Sequence, residues 1–227
     1  MSIASVRNLT REYQQGTHTV HALRGVDLDI EPGEFTVLMG PSGSGKTTLL
    51  NMIGALDEPT SGTVTVAGQE LGQISSGKRS DLRLERLGFV FQSYNLIPVL
   101  SAYENAEFVL MLRGVTAAER KKRVMETLHA VGLEGMEHRR PNQLSGGQQQ
   151  RVAVARAIVG KPALVLADEP TANLDSTTSG ELIELMKSLN EEHGVTFLFA
   201  THDPNVMAAA KRVVRLVDGR VDADERR

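Results

Sequence analysis

The feature that most restricts this chain is an octapeptide, Gly40-Pro41-Ser42-Gly43-Ser44-Gly45-Lys46-Thr47, set between two apolar segments. Phe35 to Met39 before it has the length and composition of a buried strand, and Thr48 to Leu56 after it reads as an apolar helical stretch. Glycines at these positions let successive backbone N–H groups curl around an anion, and the helix start behind them adds partial positive charge. Lys46 then reaches the outer phosphates of a nucleotide, and the Thr47 hydroxyl can ligate Mg²⁺. Such a loop needs a strand that stops and a helix that begins at once, which points to an α/β fold with a mainly parallel sheet.

The rest of the chain agrees with that reading. Ala163 to Ala167 and Val195 to Ala200 are further short apolar runs of the kind buried on both faces of a parallel sheet. Ala117 to Val131 places Val124, Leu128 and Val131 on one helical face, with Gly132 as a stop, and Ser176 to Glu192 does the same with Leu182, Leu185, Met186 and Leu189. Val20 to Ile30 and Gly62 to Ala67 predict short antiparallel strands flanking the first helix. Residues 1–227 read as one domain, with a helical lobe over about Ser93 to Leu144 and a charged tail, Asp222 to Arg227, expected to fray.

Composition removes several classes. A net charge of -3 shows no basic excess, so no nucleic-acid partner is expected. The absence of cysteine excludes disulfides and thiolate metal sites. The first residues lack the basic start and apolar core of a secretory leader, and no apolar run approaches the ~20 residues of a spanning helix. If this protein serves a membrane, another chain must cross it.

Two further motifs carry chemistry. The strand-like run from Ala163 ends in Asp168 and Glu169, placing Asp168 at the carboxyl edge of a parallel sheet, where it can hold Mg²⁺. Glu169, next to it, can polarise an attacking water. Leu144-Ser145-Gly146-Gly147-Gln148 precedes the helical Gln149 to Ala157 and forms a second helix start suited to an anion.

With that pentapeptide the sequence resembles the ABC ATPases, whose signature it matches, and the resemblance runs from Val6 to about Arg220. It implies a P-loop NTPase core with an antiparallel β subdomain and a helical subdomain. It further implies a homodimer closing head-to-tail on two ATP molecules, each between Lys46 of one copy and Ser145 of the other. By the same resemblance Tyr13 stacks on adenine, Gly40 to Thr48 hold the phosphates, and Ser145, Gly146, Gly147 and Gln148 reach across from the partner copy. Glu169, His202, Gln92 and Lys46 take catalytic roles, Thr47, Gln92 and Asp168 serve the metal, and Ala172-Asn173-Leu174-Asp175 crosses the dimer interface. His18, His21, His129, His138 and His193 have no assigned role. Thr47 stands where serine is commoner but keeps the hydroxyl, and Ala172 replaces a frequent Gly or Ser, which reduces backbone freedom there.

Within this family a single cassette is unlike the two-cassette translation factors, and the lack of sustained heptads is unlike the repair ATPases with coiled-coil inserts. A transport subunit remains. Gly54 to Gly62, Phe91 to Ile97 and Leu166 to Asp175 are similar to the lipoprotein-releasing and macrolide-export group. That similarity implies separate permease chains in a bacterial inner membrane and a cytoplasmic, peripheral position for this chain. A polar amino-acid importer ATPase and a cell-division regulator share most of these motifs and stay open, and the transported substrate is the permease's to recognise. In Ser93 to Leu100, Pro98 predicts a loop, and Ser101 with Glu104 predicts a capping box on the helix that follows. Tyr94, Leu96, Ile97, Val99 and Leu100 then either wall a groove for a permease helix or pack the helical lobe onto the core.

Overall fold

The computed structural model describes residues 2–227. A long hairpin comes first, β1 (Ala4–Gln15) and β2 (His18–Ile30), and then β3 (Phe35–Met39), whose end leads through the glycine-rich loop into α1 (Lys46–Ile53). After β4 (Ser61–Val66), β5 (Gln69–Glu70) and α2 (Ser76–Arg86), β6 (Leu87–Phe91) returns to the main sheet. Three helices follow, α3 (Ala102–Leu112), α4 (Ala117–Ala130) and α5 (Gly146–Ile158). The chain then alternates through β7 (Leu164–Asp168), α6 (Ser176–His193), β8 (Phe197–Ala200), α7 (Pro204–Ala209), β9 (Arg212–Val217) and β10 (Arg220–Arg226).

The main sheet has the order β10-β9-β3-β8-β7-β6, parallel throughout except for the edge strand β10. A smaller antiparallel sheet, β2-β1-β4-β5, packs against it. Successive residues of the main strands enter two different cores. Phe35, Val37, Val165, Ala167, Phe197 and Phe199 face α3 to α7, while Leu38, Leu164, Leu166 and Leu198 face α1 and the antiparallel sheet. Burial on both sides is why these strands read as unbroken apolar runs instead of alternating ones. Phe35, Phe197 and Phe199 pack together, with centroids 4.6 Å apart for the tilted pair Phe35–Phe199 and 5.5 Å for the stacked pair Phe197–Phe199. The helices α3 and α4 lie on α5, and Ala106, Leu110, Val124 and Leu128 join the same buried cluster as Val37. The capping box is formed: Ser101 N–H donates to Glu104 Oε2 at 2.7 Å, and Glu104 N–H donates to Ser101 Oγ at 3.2 Å.

Two expectations need correction. The expected strand near Gly62 is the short β4, but the one at Val20 to Ile30 belongs to the longer β2, which pairs over nearly its whole length with β1, unforeseen in the sequence. Its apolar positions Ala4, Val6 and Leu9 break the two-residue period, since the register shifts between Val6 and Leu9 around Asn8 at φ 44. The tail does not fray. It forms β10, held by the buried Arg212, which donates to Asp224 at 2.8 and 2.6 Å and to Glu34 Oε2 at 2.9 Å. Arg227 N–H also donates to the Lys211 carbonyl at 2.9 Å. A tail that reads as charged and soluble is the outer half of a buried-arginine clamp.

Arg212 holds the Asp224 carboxyl below its ordinary value of 3.8, chiefly through their hydrogen bond. A depressed carboxylate contributes stability at pH values above its ordinary range and loses it as pH falls through the folded-state value. Asp224→Asn is therefore expected to lower stability at pH 7 by about 1 kcal/mol, a low value because Asp224 is partly solvated. Urea unfolding of both proteins should show that gap closing below about pH 4; a gap independent of pH would mean that Arg212 does not stabilise the charged form.

Candidate functional site

The glycine-rich loop is shaped by close approach. Gly40 has φ 150, and a Cβ there would lie 2.1 Å from the Leu216 carbonyl oxygen at the end of β9. Ser44 turns into the loop, with its hydroxyl buried and without a hydrogen-bond partner. Gly40 to Gly43 and Gly45 to Thr48 face a cleft of about 710 Å³, within the range of small-ligand sites. Lys46 folds over the mouth of the loop and donates to the carbonyls of Gly40 at 2.8 Å and Pro41 at 3.0 Å. A backbone cradle with a cation over it and an unsatisfied hydroxyl beneath it fits a polyphosphate.

Thr47 Oγ1 donates to Asp168 Oδ1 at 3.1 Å, which joins the start of α1 to the end of β7. Burial pushes the Asp168 carboxyl above its ordinary value, with the neighbouring Glu169 adding to the effect, while Thr47 and Lys46 oppose it. A cation beside this pair would relieve the cost of a half-buried carboxylate. Among the described residues no group of three or more His, Cys, Asp or Glu side chains is gathered to hold a metal alone. Two hard oxygen ligands suit Mg²⁺, which takes its remaining ligands from water and phosphate.

Glu169 adopts φ 45, a left-handed conformation that costs a non-glycine residue about 1–3 kcal/mol and is characteristic of functional edges. Both carboxylate oxygens are engaged. Thr201 Oγ1 donates to Oε2 at 2.9 Å, and His202 Nδ1 lies 2.7 Å from Oε1. Gln92, at the end of β6, also faces the cleft, and its carbonyl accepts from Asn173 Nδ2 at 2.9 Å. Tyr13 completes the outer wall with Val20, His21 and Ala22 of β2. His21 is thus not a residue without a place. It belongs to the cleft because β1 and β2 pair Tyr13 with Val20, a register that no local pattern announced. Thr201, buried beside the carboxylate, reaches it through the pairing of β7 with β8, which no local pattern announces either.

Ser145, Gly146, Gly147 and Gln148 do not line this cleft. Ser145 caps α5, with its N–H donating to Gln148 Oε1 at 3.0 Å and its Oγ accepting from Gln148 N–H at 3.3 Å. Gly147 packs so tightly on α6 that a Cβ would come 2.3 Å from Thr178 Cγ2. Tyr94 places its hydroxyl against Gly146, and Leu96 is packed on the core. Tyr94 and Asn95 both have left-handed backbones, at φ 59 and 49. Arg156 of α5, half-buried, donates to both of their carbonyls. Of the apolar residues in this segment only Val99 projects strongly, at 69% exposure. Tyr94, Leu96, Ile97 and Leu100 are half-buried, and of these Leu96 packs on the core.

Known proteins of similar sequence and fold identify the family. A family model described as ABC transporter matches residues 23–172. The lipoprotein-releasing system ATP-binding protein LolD of Anaeromyxobacter dehalogenans is 48% identical over 94% of this chain and 90% of its own length. The macrolide export ATP-binding/permease protein MacB of Syntrophobacter fumaroxidans is 45% identical over 99% of this chain, which spans 32% of that longer protein. Among solved structures, the dimeric post-hydrolysis state of the ATP-binding cassette MJ0796 bound to ADP and Pi superposes with a TM-score of 0.90. It is 44% identical, and the match covers 98% of both chains.

Gly40→Ala is expected to abolish tight nucleotide binding, because the loop cannot close with a Cβ against the Leu216 carbonyl. Thermal unfolding should show a stability loss of about 1–3 kcal/mol for the strained backbone. Titration with a fluorescent ATP analogue checks the binding. Wild-type affinity in the folded variant would mean that this backbone is not the phosphate cradle.

Proposed function

The chain belongs to the ABC transporter family, and on that premise we propose that it powers a bacterial transport complex of the lipoprotein-releasing or macrolide-export type. Two copies would work on the cytoplasmic face of the inner membrane, beneath separate permease chains. One observation carries the shared-site reading. The second anion-suited helix start, at Ser145, lies outside the cleft that its own chain builds, so a phosphate held by Lys46 can meet it only from another copy.

In this reading Tyr13 stacks on adenine and the loop N–H groups hold the phosphates. Lys46 exchanges the Gly40 and Pro41 carbonyls for the phosphate oxygens, losing two neutral acceptors and gaining charged ones. Thr47, Asp168 and Gln92 would hold Mg²⁺, which when bound would neutralise charge on the phosphates. Glu169 takes a proton from the attacking water, and Thr201 and His202 keep its two oxygens from turning away. With a proton on each ring nitrogen, His202 would donate from Nδ1 to Glu169 and from Nε2 to the terminal phosphate. The rate comes from positioning and charge stabilisation, with no covalent intermediate.

Glu169→Gln keeps the shape and loses the base, so ATP should bind, hydrolysis should fall by at least about 100-fold, and the ATP-bound dimer should persist. Gel filtration with ATP and Mg²⁺ checks this, with Ser145→Arg added in the same background. The added arginine should return the protein to monomer while ATP still binds, since its side chain fills the helix start meant for the partner's nucleotide. An unimpaired dimer would show that Ser145 does not line a shared site.

The permease contact is assigned to the exposed Val99 and its neighbour Pro98, next to the segment that leaves Gln92. Val99→Asp should leave ATP hydrolysis by the isolated subunit within about twofold, as expected of an exposed surface change. It should abolish co-purification with the permease chains. Retained co-purification would move the docking site elsewhere.

A further inference from the structure

Tyr13 stands near the turn of the β1–β2 hairpin, where 36% of the residue is exposed. A tyrosine so placed ordinarily samples several rotamers, and a ligand stacking on it must first arrest that motion. Here a closed cycle of three side chains does so beforehand. The Tyr13 hydroxyl donates to Asp57 Oδ2 at 2.7 Å, and Arg11 Nη2 donates to Asp57 Oδ1 at 2.8 Å. The Arg11 guanidinium carbon then lies 4.5 Å from the centroid of the Tyr13 ring, which closes the circuit through a cation–π contact. The cycle sets both the direction of the ring, through its hydroxyl, and its tilt, through its face.

The carboxylate at the hub is itself fixed. Asp57 Oδ1 also accepts from the Glu58 N–H at 2.7 Å, and Asp57 follows shortly after α1, the helix that begins with Lys46. Arg11 and Asp57 are only 22% and 27% exposed, so this pair is not one of the loose surface bridges that contribute little. Arg11 Nε is buried without a hydrogen-bond partner, a cost that freer placement in solvent would avoid. The arrangement ties an aromatic ring on one sheet to the end of the helix that carries the phosphate loop.

We propose that Arg11 and Asp57 are positioning residues that hold the Tyr13 ring as a preformed platform for the base of the nucleotide. This rests on the reading above that Tyr13 meets adenine. Arg11 covers one face of the ring and leaves the other to the base, so a single base is clamped against a ring whose distance from the phosphate loop is preset through Asp57 and α1. Neither residue touches the reacting phosphate, so their loss acts on affinity and not on the chemical step.

The test uses the full-length protein and measures kcat, the KM for ATP and inhibition by inorganic tripolyphosphate, which occupies the phosphate loop but has no base. Arg11→Ala and Asp57→Ala should each raise the KM for ATP about fivefold, approaching the effect of Tyr13→Ala, with kcat within about twofold. Tripolyphosphate inhibition should stay unchanged. In a Tyr13→Ala background neither substitution should add a further effect, because the platform is already gone. If Asp57→Ala fails to fold, Tyr13→Phe removes the same hydroxyl bond and should raise the KM in its place. An unchanged KM in Tyr13→Ala would overturn the proposal through its premise, that Tyr13 meets the base. A raised KM in Tyr13→Ala with normal values in Arg11→Ala and Asp57→Ala, or Tyr13→Phe in its place, would overturn the positioning role alone. So would a matching loss of tripolyphosphate inhibition, or an effect that persists without Tyr13.

Discussion

Four parallel strands in register decide where everything else can be. Phe91 pairs with Asp168, Asp168 with Ala200, and Leu38 with Ala200, so β6, β7, β8 and β3 end on one line. The residues just past that line are Gln92, Glu169, Thr201 and the glycine-rich loop, which the chain visits at widely separated points. Parallel pairing carries every strand in the same direction, and each must therefore exit at the same edge. The chemistry is concentrated there because the backbone hydrogen bonds allow no other exit. The two apolar cores on either face hold the register, since a slip of one residue would exchange the leucines of one core for the phenylalanines of the other.

At that edge the structure departs from relaxed geometry and supplies the means to hold the departure. Glu169 is left-handed, yet its N–H donates to the Ala200 carbonyl at 2.8 Å and both carboxylate oxygens are engaged. Thr201 is buried and also accepts from the Asp203 N–H at 3.0 Å, so the hydroxyl that steadies the carboxylate is itself oriented. In the role proposed for Glu169 the carboxylate must not wander by even an ångström, and its support comes from Thr201 and His202, just past the end of β8.

The parts of this molecule that were legible in the sequence are those in which neighbours in space are also neighbours in the chain. The phosphate loop, the strand ending in Asp168, the capping box at Ser101 and the glycines before α5 each announce themselves within about ten residues. What stayed hidden depends on partners far away in the chain. β1 is obscured by its own bulge, β10 needs Arg212 and Glu34 to become a strand, and His21 reaches the cleft only through hairpin pairing. The inward turn of Ser44 is concealed differently. Its loop motif specifies where backbone N–H groups point but leaves the side chain's direction to packing against Gly40.

Arg156 gives the helical side of the molecule a mechanical property. Its guanidinium is half-buried beside α5, and its acceptors are the Tyr94 and Asn95 carbonyls in the loop that leaves Gln92. Losing them would leave a partly desolvated cation without partners, so the contact couples the loop to the helix. Because Ser145 starts that same helix and Tyr94 abuts Gly146, the loop grips α5 at both of its ends, and a displacement of the loop loads the whole helix and not one turn of it.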